Sequence, residues 1–307
     1  MIGRRTYFQA AGLAMVGPAV FLTATVVLAP FVWVVAQSFI EKGSGTLGLA
    51  NFAWLTGPAF LPALWNSLLI SVGSVLVEVM LAVPLALLLN RPLAGRAFLR
   101  SIVTIPWAIP TVAVATGFLW LGNTNYGLFN QIGLATGVFS EPISFLGERG
   151  WATAWVTLAH AWKGLPLVFI VILAALQSLS NEIVEAARVD GAGPLATFNN
   201  VVLPHLMPSI ALAGVLSGIY NFALFDITFL LTGGGPSGST TTLPLLLYNQ
   251  AFRALDMGRA SAIGLVVFLA GVVALAVVFR VSARARRCLG GSAIGRVRPS
   301  RRSWWLS

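Results

Sequence analysis

The sequence predicts an all-α integral membrane protein of six transmembrane helices with both termini cytoplasmic, and three observations lead there. Of 307 residues, 57% are hydrophobic and 9% charged, against about 25% charged in an ordinary soluble domain. Six segments carry the run of mostly apolar residues that a helix needs to cross hydrocarbon, roughly 20 residues for about 30 Å. The basic residues between those segments fall unevenly along the chain, as topology signals do.

The first span is expected from about Leu13 to Ile40. Its start, Met1-Ile2-Gly3-Arg4-Arg5 followed by apolar residues, has the outline of a signal peptide. The apolar run is far longer than a cleavable core of about 7 to 15 residues, so an uncleaved span is expected. Pro18 and Pro30 lie inside it, which neighbouring helices can accommodate. The second span covers about Leu64 to Leu89 and stops at Asn90-Arg91-Pro92. The third, about Arg100 to Leu121, is interrupted by Pro106 and Pro110. The fourth runs from about Ala152 to Leu176, the fifth from Ser209 to Leu231, and the sixth from about Ala260 to Phe279. Residues 1–12 then form a cytoplasmic amino terminus, 13–283 the membrane domain and 284–307 a basic cytoplasmic tail.

Fourteen arginines fall on one side: Arg4, Arg5, Arg91, Arg96, Arg100, Arg188 and eight between Arg280 and Arg302. Lys42, Arg149, Arg253 and Arg259 fall on the other. Basic residues are retained in the cytoplasm, which places both termini and the Glu182 to Pro208 segment there. An even number of spans demands the same side for both ends. The arginines of the tail, Arg284, Arg286, Arg287, Arg296, Arg298, Arg301 and Arg302, read as a solvated arm against anionic headgroups.

Composition and motifs exclude several classes. The net charge of +10 does not indicate nucleic acid, because the basic residues flank apolar runs rather than gathering on a folded, water-facing surface. One cysteine, Cys288, rules out an intrachain disulfide framework and a cysteine-based metal cluster. His160 and His205 lie in different segments without ligand spacing, so no metal site is expected. Internal repeats are absent. A phosphate-binding Gly-x-x-x-x-Gly-Lys loop is absent too, so the chain is not expected to hydrolyse ATP by that chemistry.

The segment from Glu182 to Pro208 is the interior loop with the most local design. Glu182, Glu185 and Arg188 recur every three residues and become neighbours on a short helix. Asp190-Gly191 supplies a turn dipeptide, and Gly191 can take the positive φ that a sharp turn needs. Pro194 can open a second helix at its first position. Leu203-Pro204 is expected to end it, because the residue before a proline is pushed from helical angles. A helix, a turn and a second helix lying in the membrane plane result.

Glu185-Ala186-Ala187, then Gly191, Val201 and Leu203-Pro204, with Asp190 and Ala192 flanking the glycine, resemble the EAA loop. That loop marks the membrane subunits of binding-protein-dependent ABC importers of the sugar type, similar to maltose and glycerol-phosphate permeases. Other runs resemble the same family in the same order. They are Gly48-Leu49-Ala50-Asn51-Phe52, Tyr126-Gly127 with Asn130, Trp162-Lys163-Gly164-Leu165-Pro166, and Ala174-Ala175-Leu176-Gln177-Ser178-Leu179. Leu231-Thr232-Gly233-Gly234-Gly235-Pro236, Tyr248-Asn249-Gln250-Ala251-Phe252 and Gly258-Arg259-Ala260-Ser261-Ala262 follow. The resemblance covers about Gly17 to Ala283. One departure stands before the motif: Leu179-Ser180 replaces the family's isoleucine-proline, which is expected to loosen the start of the first loop helix.

The resemblance implies a type I ABC importer permease fold and a role as one transmembrane subunit of an ATP-driven importer. It implies as partners a second six-helix permease subunit, two copies of an ATP-binding subunit and an extracellular solute-binding protein, in the cell membrane and without nucleic acid. ATP and Mg belong to the partner ATPase, and this chain needs no cofactor. The loop would couple to that ATPase through Glu185, Ala186, Ala187, Asp190, Gly191, Leu203 and Pro204. Glu185 would anchor by hydrogen bonds within the loop and to the ATPase, while the two alanines allow close packing.

Ionisable residues inside spans are costly and invite a functional reading; here they are Glu78, His160, Lys163 and Asp226. Glu78 reads as a proton-relay carboxylate or as a structural hydrogen-bond acceptor. Lys163 either snorkels to the outer interface or pairs. In the fifth span Ser217, Asn221, Phe225 and Thr228 share a helical face, with Asp226 beside it. Such a face suits a neutral polyol, whose ring stacks on an aromatic while its hydroxyls hydrogen-bond; it equally suits helix association. Trp33, Trp65, Trp107, Trp120, Trp151, Trp155 and Trp162 read as interface belts and packing. A proton-coupled secondary transporter using Glu78 and Asp226 is the competing function. An intramembrane enzyme is disfavoured, since no acid, base or metal set converges in the spans.

Overall fold

The structure, a computed structural model, describes residues 2–293, with side chains described for 15–277 and for Arg280. Among the described residues its regular structure is helical, apart from an isolated antiparallel bridge between Ile40 and Leu47. The first helices are α1 (Ile2–Ser38), α2 (Ala50–Ala53), α3 (Phe60–Leu89), α4 (Arg96–Ala108), α5 (Thr111–Leu121) and α6 (Leu128–Ala135). They are followed by α7 (Arg149–Gln177), α8 (Asn181–Val189), α9 (Pro194–Thr197) and α10 (Leu203–Ala223). The last are α11 (Asp226–Leu231), α12 (Leu243–Tyr248) and α13 (Met257–Ala293).

Five helical stretches are long and apolar enough to cross a membrane: Met15–Ser38, Phe60–Leu89, Arg149–Gln177, Pro194–Ala223 and Met257–Val277. The expected third span is not one straight helix. It is the pair α4 and α5, bent by 97° and counted as a sixth crossing only if the pair is taken together. Pro106 is carried inside α4, whereas Pro110 breaks the helix, with Ile109 before it in the extended region at ψ 132°. That is the conformation a following proline imposes.

Other boundaries also move. Helix α1 begins at Ile2, so the expected separate amino-terminal segment is continuous with the first span. The expected fifth span stops at Ala223, and α11 starts anew at Asp226. Helix α13 continues past Phe279 to Ala293, so the first part of the expected solvated arm is helical; Arg296, Arg298, Arg301 and Arg302 lie outside the described residues.

The chain divides into two compact units that alternate along the sequence, one with Ala115–Val156 and Ala223–Leu269, the other with Ile70–Val114 and Thr157–Phe222. In the first, which also takes the chain through Leu69, asparagines tie loops to helices. Asn51 Nδ2 donates to Ser38 O and Ile40 O at 3.0 and 2.9 Å, closing the end of α1. Asn66 Nδ2 donates to Gly238 O at 2.9 Å and Thr241 O at 3.1 Å, and Ser67 Oγ accepts from Leu243 N, so α3 pins the glycine-rich loop before α12. The buried Asn130 donates to Asn123 O, Thr124 O and Ile143 O and accepts from Ile143 N. Trp155, expected among interface and packing tryptophans, is buried, donates to Phe118 O at 3.0 Å and packs on Phe145.

In the second unit a core joins α3, α7 and α10. Ala82, Ala86 and Leu89 of α3 meet Val168, Phe169, Ile172, Leu173 and Leu176 of α7, with Leu206 and Ala213 of α10 completing the cluster. Spacings of three and four residues place each set on one helical face, and the alanines let the backbones approach, which is how helices pack where lipid removes the hydrophobic drive.

Candidate functional site

The loop from Glu182 to Pro208 is a closed excursion from this core. At its base His205 Nε2, on α10, lies 3.1 Å from Ala175 O and 3.2 Å from Ser178 Oγ, at the end of α7. Helix α8 begins at Asn181 with Ser180 as its cap, whose hydroxyl accepts from Glu182 N at 3.3 Å. The departure Leu179-Ser180 therefore caps the helix instead of loosening it, since serine provides the acceptor that proline lacks. The helix ends in the expected turn. Gly191 has φ +85°; Ala192 N donates to Ala187 O and Gly191 N to Arg188 O, the paired closure of a Schellman motif.

Pro194 starts α9 at its first turn, as expected. The second loop helix, however, does not end at Leu203-Pro204. Leu203 is helical at φ −62°, ψ −46°, and a π-helical turn over Phe198–Val202 carries α9 into α10, so Pro194–Ala223 is one run of 30 residues. A π turn re-registers the backbone ladder, here with Leu203 N donating to Phe198 O, and the missing proline N–H is absorbed without a break. The loop is therefore a short capped helix and a turn, followed by a stem continuous with a span.

Of the residues predicted to couple, Glu185, Ala186, Asp190, Gly191 and Pro204 are exposed, and Ala187 and Leu203 are half-buried. The expected hydrogen bonds from Glu185 within the loop are not formed: among the described residues its carboxylate takes none. Large apolar side chains of the loop stand in the open, Ile183 at 52%, Val189 at 87%, Leu195 at 73% and Met207 at 55% exposure.

The residues predicted for a solute path are not brought together on one helix. Ser217 and Asn221 are buried on α10, Phe225 falls in the break after Ala223, and Asp226 and Thr228 lie on α11. Ser217 Oγ donates to Glu78 Oε2, while Asn221 Nδ2 donates to Glu78 Oε1 at 2.9 Å and to Ser217 Oγ at 3.2 Å. Glu78, fully buried on α3, is thus the acceptor at the centre of the cluster. His160 of α7, also buried, lies beside Asn221. Gly164 of α7 faces the Glu78 carboxylate so closely that a Cβ there would overlap it. Phe225 stacks on Phe229 at 4.9 Å and 20°, and Tyr248 packs on both. Asp226 is exposed in the first turn of α11, where a carboxylate is favoured by the helix N-terminus.

Lys163, one residue before Gly164, neither snorkels nor pairs with a carboxylate. Its ammonium is buried and donates to Pro106 O and Trp107 O at 3.2 Å each and to Ile109 O, the carbonyls at the broken end of α4. Sequence offered one signal for this contact, the proline pair inside an apolar run; the partner across the fold was not legible. Asn51 and Asn130 stand in runs that resemble the family, which gave no hint of their partners, and Asn66 carried no signal at all.

Residues 78–287 match the family described as the binding-protein-dependent transport system inner membrane component. The chain belongs to that family. The permease is 38% identical over 227 residues to the trehalose/maltose transport system permease protein of Thermococcus litoralis, covering 73% of this chain and 76% of that one. It is 33% identical over 274 residues to the sulfoquinovosyl glycerol transport system permease protein of Agrobacterium fabrum, covering 87% and 88%. Its fold matches that of a bacterial ABC transporter involved in the import of the acidic polysaccharide alginate, with a TM-score of 0.77 at 24% identity over 93% of this chain and 98% of the other. The protein is a multi-pass ABC importer permease in fold, and its relatives are sugar permeases.

Proposed function

We propose that the permease forms half of the translocation pathway for a sugar or sugar-like solute, delivered by an extracellular binding protein and driven by a separate ATPase that carries the ATP and Mg. A second six-helix permease subunit supplies the other half and two ATP-binding subunits complete the machine; both termini of this chain are cytoplasmic. The observation that carries the reading is the capped loop itself. Its helix is fixed at both ends by Ser180 and Gly191, its stem runs into a span, and Ile183, Val189 and Leu195 project from it without cover. Exposed apolar side chains on a capped loop outside the apolar core suit a protein partner. Glu185, Ala186, Ala187, Asp190, Gly191, Leu203 and Pro204 are the residues proposed to meet the ATPase, with Glu185 free to bond to it.

For the solute path the proposed residues remain Ser217, Asn221, Phe225, Asp226 and Thr228. Ser217, Asn221 and Thr228 are buried here, so contact with solute requires another state of the cycle to uncover them. The span cation an anionic solute could have used, Lys163, has its hydrogens on backbone carbonyls, which supports a neutral cargo. A proton-coupled carrier would use Glu78 and Asp226 but would leave the loop without a purpose.

The test is uptake and ATPase stimulation by the assembled importer carrying Gly191→Asp or Glu185→Lys. Both variants are expected to insert normally and to lose transport and stimulation together. Gly191 has open space around its Cα, so a side chain there acts through backbone strain at positive φ and through the docked partner. Normal uptake by both variants would remove the coupling role.

A further inference from the structure

Proline has no N–H, so Pro110 cannot donate to the carbonyl of Pro106 four residues earlier, and Ile109 before it leaves the helix at ψ 132°. The carbonyl of Pro106 therefore loses its helical donor inside an apolar stretch. A buried carbonyl without a donor is costly, and the chain bends by 97° between α4 and α5. The donor comes from α7: Lys163 places its ammonium among Pro106 O, Trp107 O and Ile109 O. An ammonium has three hydrogens, and here three carbonyls receive them. That explains how a cation 4% exposed is held in a span without a carboxylate. Positive charge at a helix C-terminus is also favoured by the helix dipole.

The next residue, Gly164, leaves room for the Glu78 carboxylate, and Glu78 holds Ser217 and Asn221 of α10. All these residues lie in the second unit. Lys163 therefore fastens α4 to α7, the next position lets the α3–α10 cluster approach α7 closely, and α10 is the same helical run that carries the loop stem.

We infer that Lys163 is a positioning residue of the transport cycle, clamping the break in the third span by donating to the carbonyls at the end of α4, among them the Pro106 carbonyl that Pro110 cannot serve. The transport part of this inference rests on the importer reading; the clamp does not. It is a contact with the chain's own backbone and not with solute.

The experiment uses the complete importer with Lys163→Met, Pro110→Ala and both together, measuring subunit level in the membrane, the rate and half-saturation of solute uptake, and amide hydrogen exchange across Trp107–Val114. Lys163→Met is expected to lower the maximal uptake rate by about tenfold, the scale of losing a charge-assisted hydrogen-bond set, with half-saturation changed less than about twofold, and to speed exchange at the break. Adding Pro110→Ala restores an N–H for Pro106 O and is expected to recover at least about threefold of the rate and the lost protection. If Lys163→Met lowers the amount inserted, the double variant recovers that amount. The inference is overturned if exchange at the break is unchanged in Lys163→Met, if Pro110→Ala recovers neither rate, level nor protection, or if only half-saturation moves, which would assign the lysine to solute. Faster exchange restored by Pro110→Ala with no effect on uptake would keep the clamp and remove its part in transport.

Discussion

Glu78 is the residue whose two readings the structure separates most clearly. It accepts from Ser217 and Asn221, so its carboxylate fastens α3 to α10 before any proton needs to move. Glu78→Ala removes the acceptor that Ser217 Oγ and Asn221 Nδ2 share, at about 1–3 kcal/mol for each hydrogen left unmet, and is expected to lower the unfolding temperature of the purified complex. Glu78→Gln keeps one acceptor for Asn221 Nδ2 and can turn its amide toward Ser217 Oγ, a hydroxyl able to accept as well as donate. It is expected to retain stability within about 1 kcal/mol and to keep ATP-driven uptake. A stable Glu78→Gln protein without transport would favour the relay instead. That a lone buried glutamate existed was plain from sequence; its partners, 139 and 143 residues away, were not, because hydrogen-bond partners across spans leave no periodic trace.

Among the elements, α8 was the most legible, since a cap, a helix, a turn dipeptide and a left-handed glycine are local chemistry. Ser180 nevertheless reversed its expected effect, because a cap depends on side-chain chemistry at one position. Ser180→Ala is expected to cost about 0.5–2 kcal/mol of local helix stability, read as faster hydrogen exchange in the first turn of α8 with insertion unchanged; equal exchange would deny the cap. The proline rule succeeded at Pro110 and failed at Leu203-Pro204. At Pro110 the chain bends and Lys163 donates to the carbonyls at the end of α4, whereas at Pro204 the π turn over Phe198–Val202 keeps the helix whole. The same local preference yields a break or a continuous stem according to what else satisfies the backbone.

For the whole molecule, the prediction that matters is sidedness. With cytoplasmic termini, an impermeant thiol reagent on intact cells should leave Cys288 unlabelled until the membrane is opened. It should label Ser44→Cys, placed in a Cys288→Ser background, from outside. The reverse pattern would invert the topology and move the loop away from any cytoplasmic ATPase. The inference came from arginine placement, which acts through retention on the cytoplasmic side during insertion.

Composition, span lengths and the loop motif are properties of the chain read one stretch at a time, and they were enough for the membrane class, the helical fold and the permease family. Solvent sets them: hydrocarbon forces helices wherever the backbone must satisfy itself. What tertiary structure alone decided was where the polar exceptions go. Glu78 serves α10, Lys163 serves the end of α4, and the face expected along Ser217 to Thr228 ends at Ala223. A buried polar group takes whichever partner the packing of other helices brings within reach, and that choice is made between segments far apart in the chain.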